Sequence, residues 1–340
     1  MYDLKIFRVF PKVPKPLEFL ETLSRNLWWS YEPEAKELFR RIDARLWASC
    51  GRNPLSFLAA VDQSKLERLA QDEVFLGQMD VVQEEFIHRV ELTADRGDQP
   101  FGENETIAYL SMEFGLHESI PLFAGGLGVL AGDHLKSADN MTLPLTGIGL
   151  MYRQGYLNQF LDEHGWQQES YPETEFYQLP IRRARDSAGN EIKVTVTGPT
   201  GDIHVLVWRL NVGRIALYLL DTNLKENNAE QRDVTSRLYG GDLRRRLCQE
   251  AVLGIGGIRA LAALGLFPKV SHMNEGHSAF ANLERLALIM RSYQVDLKTA
   301  MEIVPRTTVF TTHTPVPAVH DEFPVDMIRP VLKPFEEILG

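Results

Sequence analysis

Cysteine is scarce in this 340-residue chain, which contains only Cys50 and Cys248, far apart in the sequence. Two cysteines at that separation make no disulfide framework and give no metal-ligand spacing. Such cysteine usage is typical of a reducing compartment. We therefore expect a cytoplasmic protein without structural disulfides.

The chain also lacks a long uninterrupted apolar run. Its most apolar window, residues 251–267, is broken by Arg259 and is shorter than the ~20 residues that a membrane helix needs. The N-terminal sequence MYDLKIFRVFPKVPKP has no apolar core followed by a small-residue cleavage site, as an export signal would have. The sequence predicts neither a membrane segment nor export.

Positive charge is in short supply. The chain has 36 Lys and Arg residues against 46 Asp and Glu residues, so its formal net charge is -10. A nucleic acid would be repelled by a surface of the same sign. We expect no nucleic-acid partner.

Several motifs that would reveal a chemistry are absent. The sequence contains no GxGxxG dinucleotide fingerprint and no GxxxxGK[ST] phosphate loop. It also has no Gly-x-Ser-x-Gly elbow, which argues against covalent acyl chemistry. The chemistry has to be sought in other patterns.

Two domains are expected from what is present. Apolar residues recur at three- and four-residue intervals between positions 17 and 86, which predicts a helical domain over residues 1–95. The polar segment 92–104, LTADRGDQPFGEN, reads as a linker. Residues 96–340 then form a larger domain with a different pattern.

This larger domain alternates strand-like and helical segments. A strand at 106–112, a helix at 127–141 and a second strand at 145–152 give a βαβ unit, which implies a parallel sheet. Gly213 is expected at a positive φ in a hairpin turn. The remaining predicted elements are strands at 203–210, 215–220, 269–274 and 307–312, and helices at 243–264 and 279–290. The fold class is α/β with a small helical domain in front.

A glycine-rich turn precedes the first helix of this domain. Gly125, Gly126, Leu127 and Gly128 let the backbone approach a ligand, and a helix N-terminus favours an anion such as phosphate. A tight turn that needs small residues for packing explains the same spacing equally well. Asp133 reads as a charge complementing the helix dipole.

The segment HMNEGH ends the strand that is predicted at 269–274. His272 and His277 suggest a metal by their spacing, but no third ligand follows, and we expect no metal. Asn274, Glu275 and His277 at a strand end are better explained as hydrogen-bonding groups facing a cleft. A structural histidine remains an alternative.

Two further polar groups follow predicted strands. The run TTHTP places His313 and Thr314 among hydroxyls, which suits a polyhydroxyl ligand, although a capped turn has the same composition. Glu113 lies just beyond the first strand in apolar surroundings. The residue pattern alone leaves the roles of Glu113 and His313 open.

Several long strings, in order, resemble the bacterial-type α-glucan (glycogen and maltodextrin) phosphorylases, the branch with an extra N-terminal helical domain. The matching strings are LSRNLWWSYEPEAKELFRRID (23–43), AYLSMEFGLHESIPLFAGGLGVLAGDHLKSA (108–138), GIGLMYRQGYLNQ (147–159), QEAVLGIGGIRAL (249–261), HMNEGHSAF (272–280) and VFTTHTPVPA (309–318). One departure stands at Val319, where the family usually has a glycine before the His-Asp pair.

The resemblance implies part of a GT-B architecture, namely its first Rossmann-like domain. It implies a glycosyltransferase that reversibly phosphorolyses α-1,4-glucan with orthophosphate to α-glucose 1-phosphate, using pyridoxal 5′-phosphate. By motif, Gly125 to Gly128 would meet phosphate and Glu113 would line the catalytic cleft. His313 would contact the glucosyl unit, and Asn274, Glu275 and His277 would shape the sugar pocket.

The family's chains are much longer, and the cofactor lysine lies in a part absent from these 340 residues. We therefore expect no covalently held cofactor and no activity from this chain alone. A complementary C-terminal half and a homodimer are possible partners. The alternative functions are a non-catalytic glucan-binding or regulatory module and a nucleotide-sugar synthase, against which the NEGH and TTHTP strings argue.

Overall fold

The computed structural model describes residues 10–92, 101, 105–239, 241–313 and 321–339. The chain divides into two compact units. One comprises the chain up to residue 94 together with the short segments His117–Ser119 and Glu175–Pro180, and the other comprises the rest.

The first unit is helical, as its apolar periodicity predicts. Its helices are α1 (Phe19–Ser24), α2 (Pro33–Ile42), α3 (Ala44–Ser49), α4 (Pro54–Ala60), α5 (Gln63–Leu69) and α6 (Glu73–Phe86), with short 3₁₀ or π turns at Lys15–Leu17, Leu27–Ser30 and Ile87–Glu91. Asp or Asn side chains at the N-caps of α3, α4, α5 and α6 accept hydrogen bonds from first-turn amides. These caps explain why such short helices begin where they do.

Aromatic side chains fill the centre of this unit. Phe39 and Trp47 stack with ring centroids 5.3 Å apart, and Trp29 meets Trp47 edge-on at 5.7 Å. All three are nearly inaccessible to solvent. Burying large rings compensates for the shortness of the helices, which would not be stable alone.

The second unit is α/β. Its strands are β1 (Glu105–Leu110), β2 (Leu145–Leu150), β3 (Asn158–Leu161), β4 (Gln167–Ser170), β5 (Ile181–Arg183), β6 (Lys193–Gly198), β7 (Gly201–Val212), β8 (Ile215–Asp221), β9 (Phe267–Asn274) and β10 (Thr308–Thr311). Its helices are α7 (Gly126–Asn140), α8 (Ala229–Asp233), α9 (Leu243–Ala251), α10 (Gly257–Ala263), α11 (Phe280–Tyr293), α12 (Leu297–Arg306) and α13 (Val325–Leu339), and a π turn at Val252–Gly256 joins α9 to α10.

The main sheet has the strand order β10-β9-β1-β2-β8-β7-β5, and β6 also pairs with β7. The strands from β10 to β8 are parallel, whereas β7 pairs antiparallel with β8, β5 and β6. From β1 the chain moves outward through β2 and β8, and it returns to the other side of β1 for β9 and β10. The order therefore reverses between β1 and β9, and ligands of open α/β sheets bind beyond the carboxyl ends of the strands at such a point.

Helices cover both faces of the central strands. A Cβ added at Gly147 would lie 3.2 Å from Leu135 of α7, and a Cβ added at Gly257 of α10 would lie 2.8 Å from a methyl carbon of the next strand residue, Ile148. Successive strand residues point to opposite faces, so α7 and α10 lie on opposite sides of β2. Every residue of β2 is buried, as expected for a doubly covered parallel strand.

The predicted fold class is confirmed: an α/β unit is preceded by a helical one. Gly213 has the expected positive φ, +59°. Strands β3 to β6 and helices α8, α12 and α13 have no counterpart among the predicted elements. Within the described ranges, no helix is long and apolar enough to cross a membrane.

Candidate functional site

The predicted site residues that the structure describes lie at the carboxyl edge of the parallel strands. Glu113 follows β1 by three residues, Asn274 ends β9, and His313 follows β10 by two residues. Thr314 lies outside the described residues, as does the Val319 departure.

Glu113 is buried and holds the glycine-rich turn. Its Oε2 accepts hydrogen bonds from the Ala124 amide at 2.8 Å and the Gly125 amide at 3.4 Å. Its Oε1 accepts a hydrogen bond from the Tyr239 hydroxyl. Partial burial, with Glu113 close by, raises the pKa of this hydroxyl, so Tyr239 remains a donor at neutral pH. The carboxyl group of Glu113 thus holds the glycine-rich turn in place through these hydrogen bonds.

The four residues predicted to bind phosphate divide into two pairs. Gly125 and Gly126 are exposed, and a Cβ on either would meet nothing within 4 Å. Helix α7 begins at Gly126, and amides of a first turn have no partner inside their helix. The amide of Gly126 can therefore face an anion, whereas that of Gly125 already donates to Glu113.

Gly128 serves packing instead. A Cβ on Gly128 would lie 2.4 Å from Cβ of Phe123 and 2.8 Å from Oε2 of Glu113. Its carbonyl accepts the Gly115 amide at 2.6 Å. Leu127 is half-buried beside it. Tight packing thus explains Gly128, while approach of a ligand at Gly125 and Gly126 stays a prediction.

A hydrogen-bonded chain joins this turn to the ends of β9 and β10. Ser111 Oγ donates to the carbonyl of Glu113 at 2.9 Å and accepts from Asn274 Nδ2 at 3.1 Å. Asn274 Oδ1 in turn lies 2.8 Å from Nε2 of His313. The three segments that carry the predicted residues therefore meet at one edge of the sheet.

Glu275 is buried and ties β9 to β10. Its Oε1 accepts the His313 amide at 2.6 Å, and its own amide donates to the Thr311 carbonyl at 2.8 Å. Its backbone adopts φ +62° and ψ -179°, a region that is almost confined to glycine. The bonds to β10 hold this strained conformation.

A group of ionisable side chains lies next to Tyr239. The guanidinium of Arg246 lies 5.0 Å from the centroid of the Tyr239 ring and donates to Oδ2 of Asp321 at 2.6 Å. Burial, together with a hydrogen bond to Asp321, raises the pKa of Glu250 to about 9. Burial opposes ionisation of Asp321 too, but the bonds from Glu250 and Arg246 outweigh it and lower its pKa. Glu250 is thus a neutral donor at neutral pH.

The two histidines of the HMNEGH segment have different surroundings. His277 is buried with its ring 6.5 Å from that of Tyr239, and it lines a cavity of about 390 Å³ with Glu250 and Asp321. His272 shares a 2.6 Å hydrogen bond with Thr311 Oγ1, and burial lowers its pKa. Among the described residues, no group of three metal-ligating side chains occurs.

Sequence reasoning did not identify Ser111, Tyr239 or Glu250. Ser111 directly follows β1, so its place at a strand end was a usable signal. Tyr239 is 126 positions from Glu113 in the chain, and Glu250 lies inside a helix. No local pattern marks those two residues.

Comparisons with known proteins agree with this picture. A family model described as a protein of unknown function (DUF3417) matches residues 13–120. Glycogen phosphorylase of Mycobacterium tuberculosis is 41% identical, covering 97% of this chain and 40% of that protein. Maltodextrin phosphorylase of Thermococcus litoralis is 39% identical over 96% of this chain and 39% of its own length. Glycogen phosphorylase of Aquifex aeolicus is 36% identical over 93% of this chain and 45% of its own length.

The chain thus spans well under half the length of these curated relatives, while the similarity covers nearly all of the chain. The resemblance predicted from the sequence strings is confirmed: over almost its whole length, this chain is similar to the N-terminal portion of the bacterial-type glycogen and maltodextrin phosphorylases.

Proposed function

We propose that this chain contributes the phosphate-facing and sugar-facing half of an α-1,4-glucan phosphorylase site. The reaction would be the reversible transfer of a glucosyl unit from glycogen or maltodextrin to orthophosphate, giving glucose 1-phosphate. The observation that carries the proposal is the chain of hydrogen bonds from the glycine turn through Glu113 and Ser111 to Asn274 and His313.

The phosphate half of the proposal rests on the start of α7. Gly126 is exposed, and its amide lies at the positive end of a 15-residue helix, where an anion is favoured. Glu113 fixes the turn by accepting amides at its N-terminal side, so the Gly126 amide is oriented before a ligand arrives. The chain's own contribution to phosphate is therefore orientation by backbone donors.

The sugar half rests on the ends of β9 and β10. Asn274 is buried, with its side-chain amide bonded to Ser111 and His313, and it aligns the exposed ring of His313. A sugar hydroxyl both donates and accepts, so the Nδ1 atom of His313, which does not take part in the bond to Asn274, suits a hydroxyl of a glucosyl unit. Glu275 keeps His313 in place through the His313 amide.

Pyridoxal 5′-phosphate binds to its enzymes through a lysine amine. The cluster described here consists of carboxyl, amide, hydroxyl, imidazole and guanidinium groups, and none of its members is a lysine. The cluster therefore does not fit covalent attachment of this cofactor. We assign no step to it and expect no glucose 1-phosphate from the 340 residues alone.

Titration calorimetry with orthophosphate and with maltoheptaose tests the proposal. We expect both ligands to bind. Gly126→Ala places a methyl in the open space over the helix start, so it should weaken phosphate binding at least tenfold and leave maltoheptaose binding unchanged. His313→Ala should weaken maltoheptaose binding at least tenfold and leave phosphate binding unchanged.

Gly77→Ala is the matched control, because Gly77 also lies in a helix with nothing within 4 Å of an added Cβ. It should change neither affinity. Phosphate binding that is equal in Gly126→Ala and the parent would contradict the proposed anion site. Glucan binding without any phosphate binding would favour the non-catalytic glucan-binding module.

A further inference from the structure

A second cavity, of about 480 Å³, opens at the opposite edge of the sheet. Phe267 and Pro268 begin β9, and Thr307 directly precedes β10, so the cavity lies at the amino ends of these parallel strands. Side chains of α10 and α11, among them Ile258, Arg285, Leu288 and Ile289, line the rest of it. It is separate from the carboxyl edge that carries the candidate phosphorylase site.

Arg285 of α11 is the buried cation of this cavity. Only 5% of the residue is exposed. Its guanidinium donates to Thr308 Oγ1 and Thr307 Oγ1, each at 2.6 Å, and to the Thr307 carbonyl at 3.3 Å. All these acceptors are neutral. Burial lowers the pKa of Arg285 to about 10, with no opposing contribution from an acid.

The carboxylate next to Arg285 in the sequence pairs with other arginines. Glu284 precedes Arg285 in the sequence, yet its carboxylate pairs with Arg259 at 2.8 Å and with Arg291 at 3.0 Å. Within the described ranges, no carboxylate lies within ion-pairing distance of Arg285. A buried charge without a counter-charge is costly, and guanidinium groups bind carboxylates in a two-point geometry. The cavity thus presents an unmatched positive charge.

The walls around this charge are apolar. Ile258, Leu288 and Ile289 line the cavity, and the large side chains of Phe267 and Tyr293 remain exposed at 57% and 72%. An inorganic anion would satisfy Arg285 but leave these walls in water. A ligand with an anionic head and an apolar body would satisfy both.

We propose that this cavity binds a small amphipathic carboxylate, whose head pairs with Arg285 and whose apolar body packs against the α10 and α11 side chains. Nothing in this proposal depends on phosphorolysis. Octanoate is a suitable probe, and octan-1-ol is its uncharged counterpart of the same length.

Ligand-observed NMR and calorimetry on the full 340-residue chain test the proposal. We expect saturable octanoate binding, at least tenfold tighter than that of octan-1-ol. Arg285→Met keeps the length of the side chain and removes its charge, so it should weaken octanoate at least tenfold and leave octan-1-ol unchanged. Arg291→Met, on the same helix but already paired with Glu284, is the control and should bind octanoate like the parent.

A variant that spares Arg285 covers the case in which Arg285→Met does not fold. Ser292 is exposed at the cavity wall, and Ser292→Trp should fill the opening and abolish octanoate binding while maltoheptaose binding persists. Equal affinities for octanoate and octan-1-ol would overturn the proposal. So would octanoate binding that survives in Ser292→Trp.

Discussion

Replacing Tyr239 with phenylalanine tests whether the candidate site is held together by tertiary hydrogen bonds. The change removes one oxygen, which donates to Oε1 of buried Glu113. Without this donor, the carboxyl group loses its fixed orientation, and its bonds to the amides of Ala124 and Gly125 weaken. A buried acceptor left without its donor costs about 1–3 kcal/mol.

We take about 2 kcal/mol for this loss, in the middle of that range. The acceptor belongs to an ionisable group, which makes the loss larger, but Tyr239 is partly open to water, which makes it smaller. That energy corresponds to a roughly 30-fold larger population of the open turn. Amide hydrogen exchange at Ala124 and Gly125 should therefore accelerate by about that factor. Amides in the middle of β2 should keep their rates.

Tyr293→Phe is the matched control, because the Tyr293 side chain is 72% exposed. Its exchange rates should equal those of the parent throughout the glycine turn. Unchanged exchange at Ala124 and Gly125 in Tyr239→Phe would refute the reasoning, because the turn would then hold its shape without the Tyr239 bond. Faster exchange spread evenly over the sheet would indicate loss of general stability instead.

Two other predictions concern packing and pH. In Gly132→Ala the new Cβ would fall 2.1 Å from the backbone oxygen of Gly115, so we expect about 1–3 kcal/mol of destabilisation in thermal unfolding. Gly126→Ala has open space and should show none; equal midpoints for the two variants would contradict the packing role. Glu250 has a folded pKa of about 9, above its unfolded value, so stability is lost as pH rises from about 4.5 to 9, at most about 1.4 kcal/mol per pH unit. Glu250→Gln retains a donor toward Asp321, which stays ionised in this range. The melting midpoint of this variant should therefore fall less between pH 6 and 9 than that of the parent. If the midpoints of both proteins fell equally with pH, the result would count against a buried neutral Glu250.

The strand-end residues could be predicted because a simple rule places them. Asn274 and His313 each follow an apolar run with strand character, and the carboxyl ends of parallel strands share one edge. Once the βαβ order was recognised, the meeting of these residues followed. Their mutual hydrogen bond is a detail that this rule does not give.

Other elements carry no comparable signal. Every residue of β3 and β4 is exposed, so no buried face imposes an alternation on the sequence. Strand β5 is three residues long and, among the strands that the structure describes, pairs with β7 alone. Such strands depend on their partner strand for their conformation. Local periodicity in the sequence therefore does not predict them.

Contacts between distant segments are also beyond local reasoning. The arrangement of Arg246, Glu250 and Asp321 joins one helix to a segment 71 positions beyond Glu250. In the sequence, Arg246 is one of three consecutive arginines and looks like part of a solvated helix face. Its side chain is in fact 15% exposed, and that of Arg245 27%, because both side chains pack against other parts of the fold.

Glu275 shows how a tertiary hydrogen bond and local backbone preference conflict in this fold. Its backbone conformation costs about 1–3 kcal/mol for a residue with a Cβ, and glycine would adopt it at little cost. Glycine occurs at the next position, 276, but not at position 275, where the backbone conformation would favour it. A glycine at 275 would remove the carboxylate that accepts the His313 amide and would leave the end of β10 without that anchor. The strain is therefore offset by the bonds of the side chain, and what those bonds secure is the position of His313 beside Asn274.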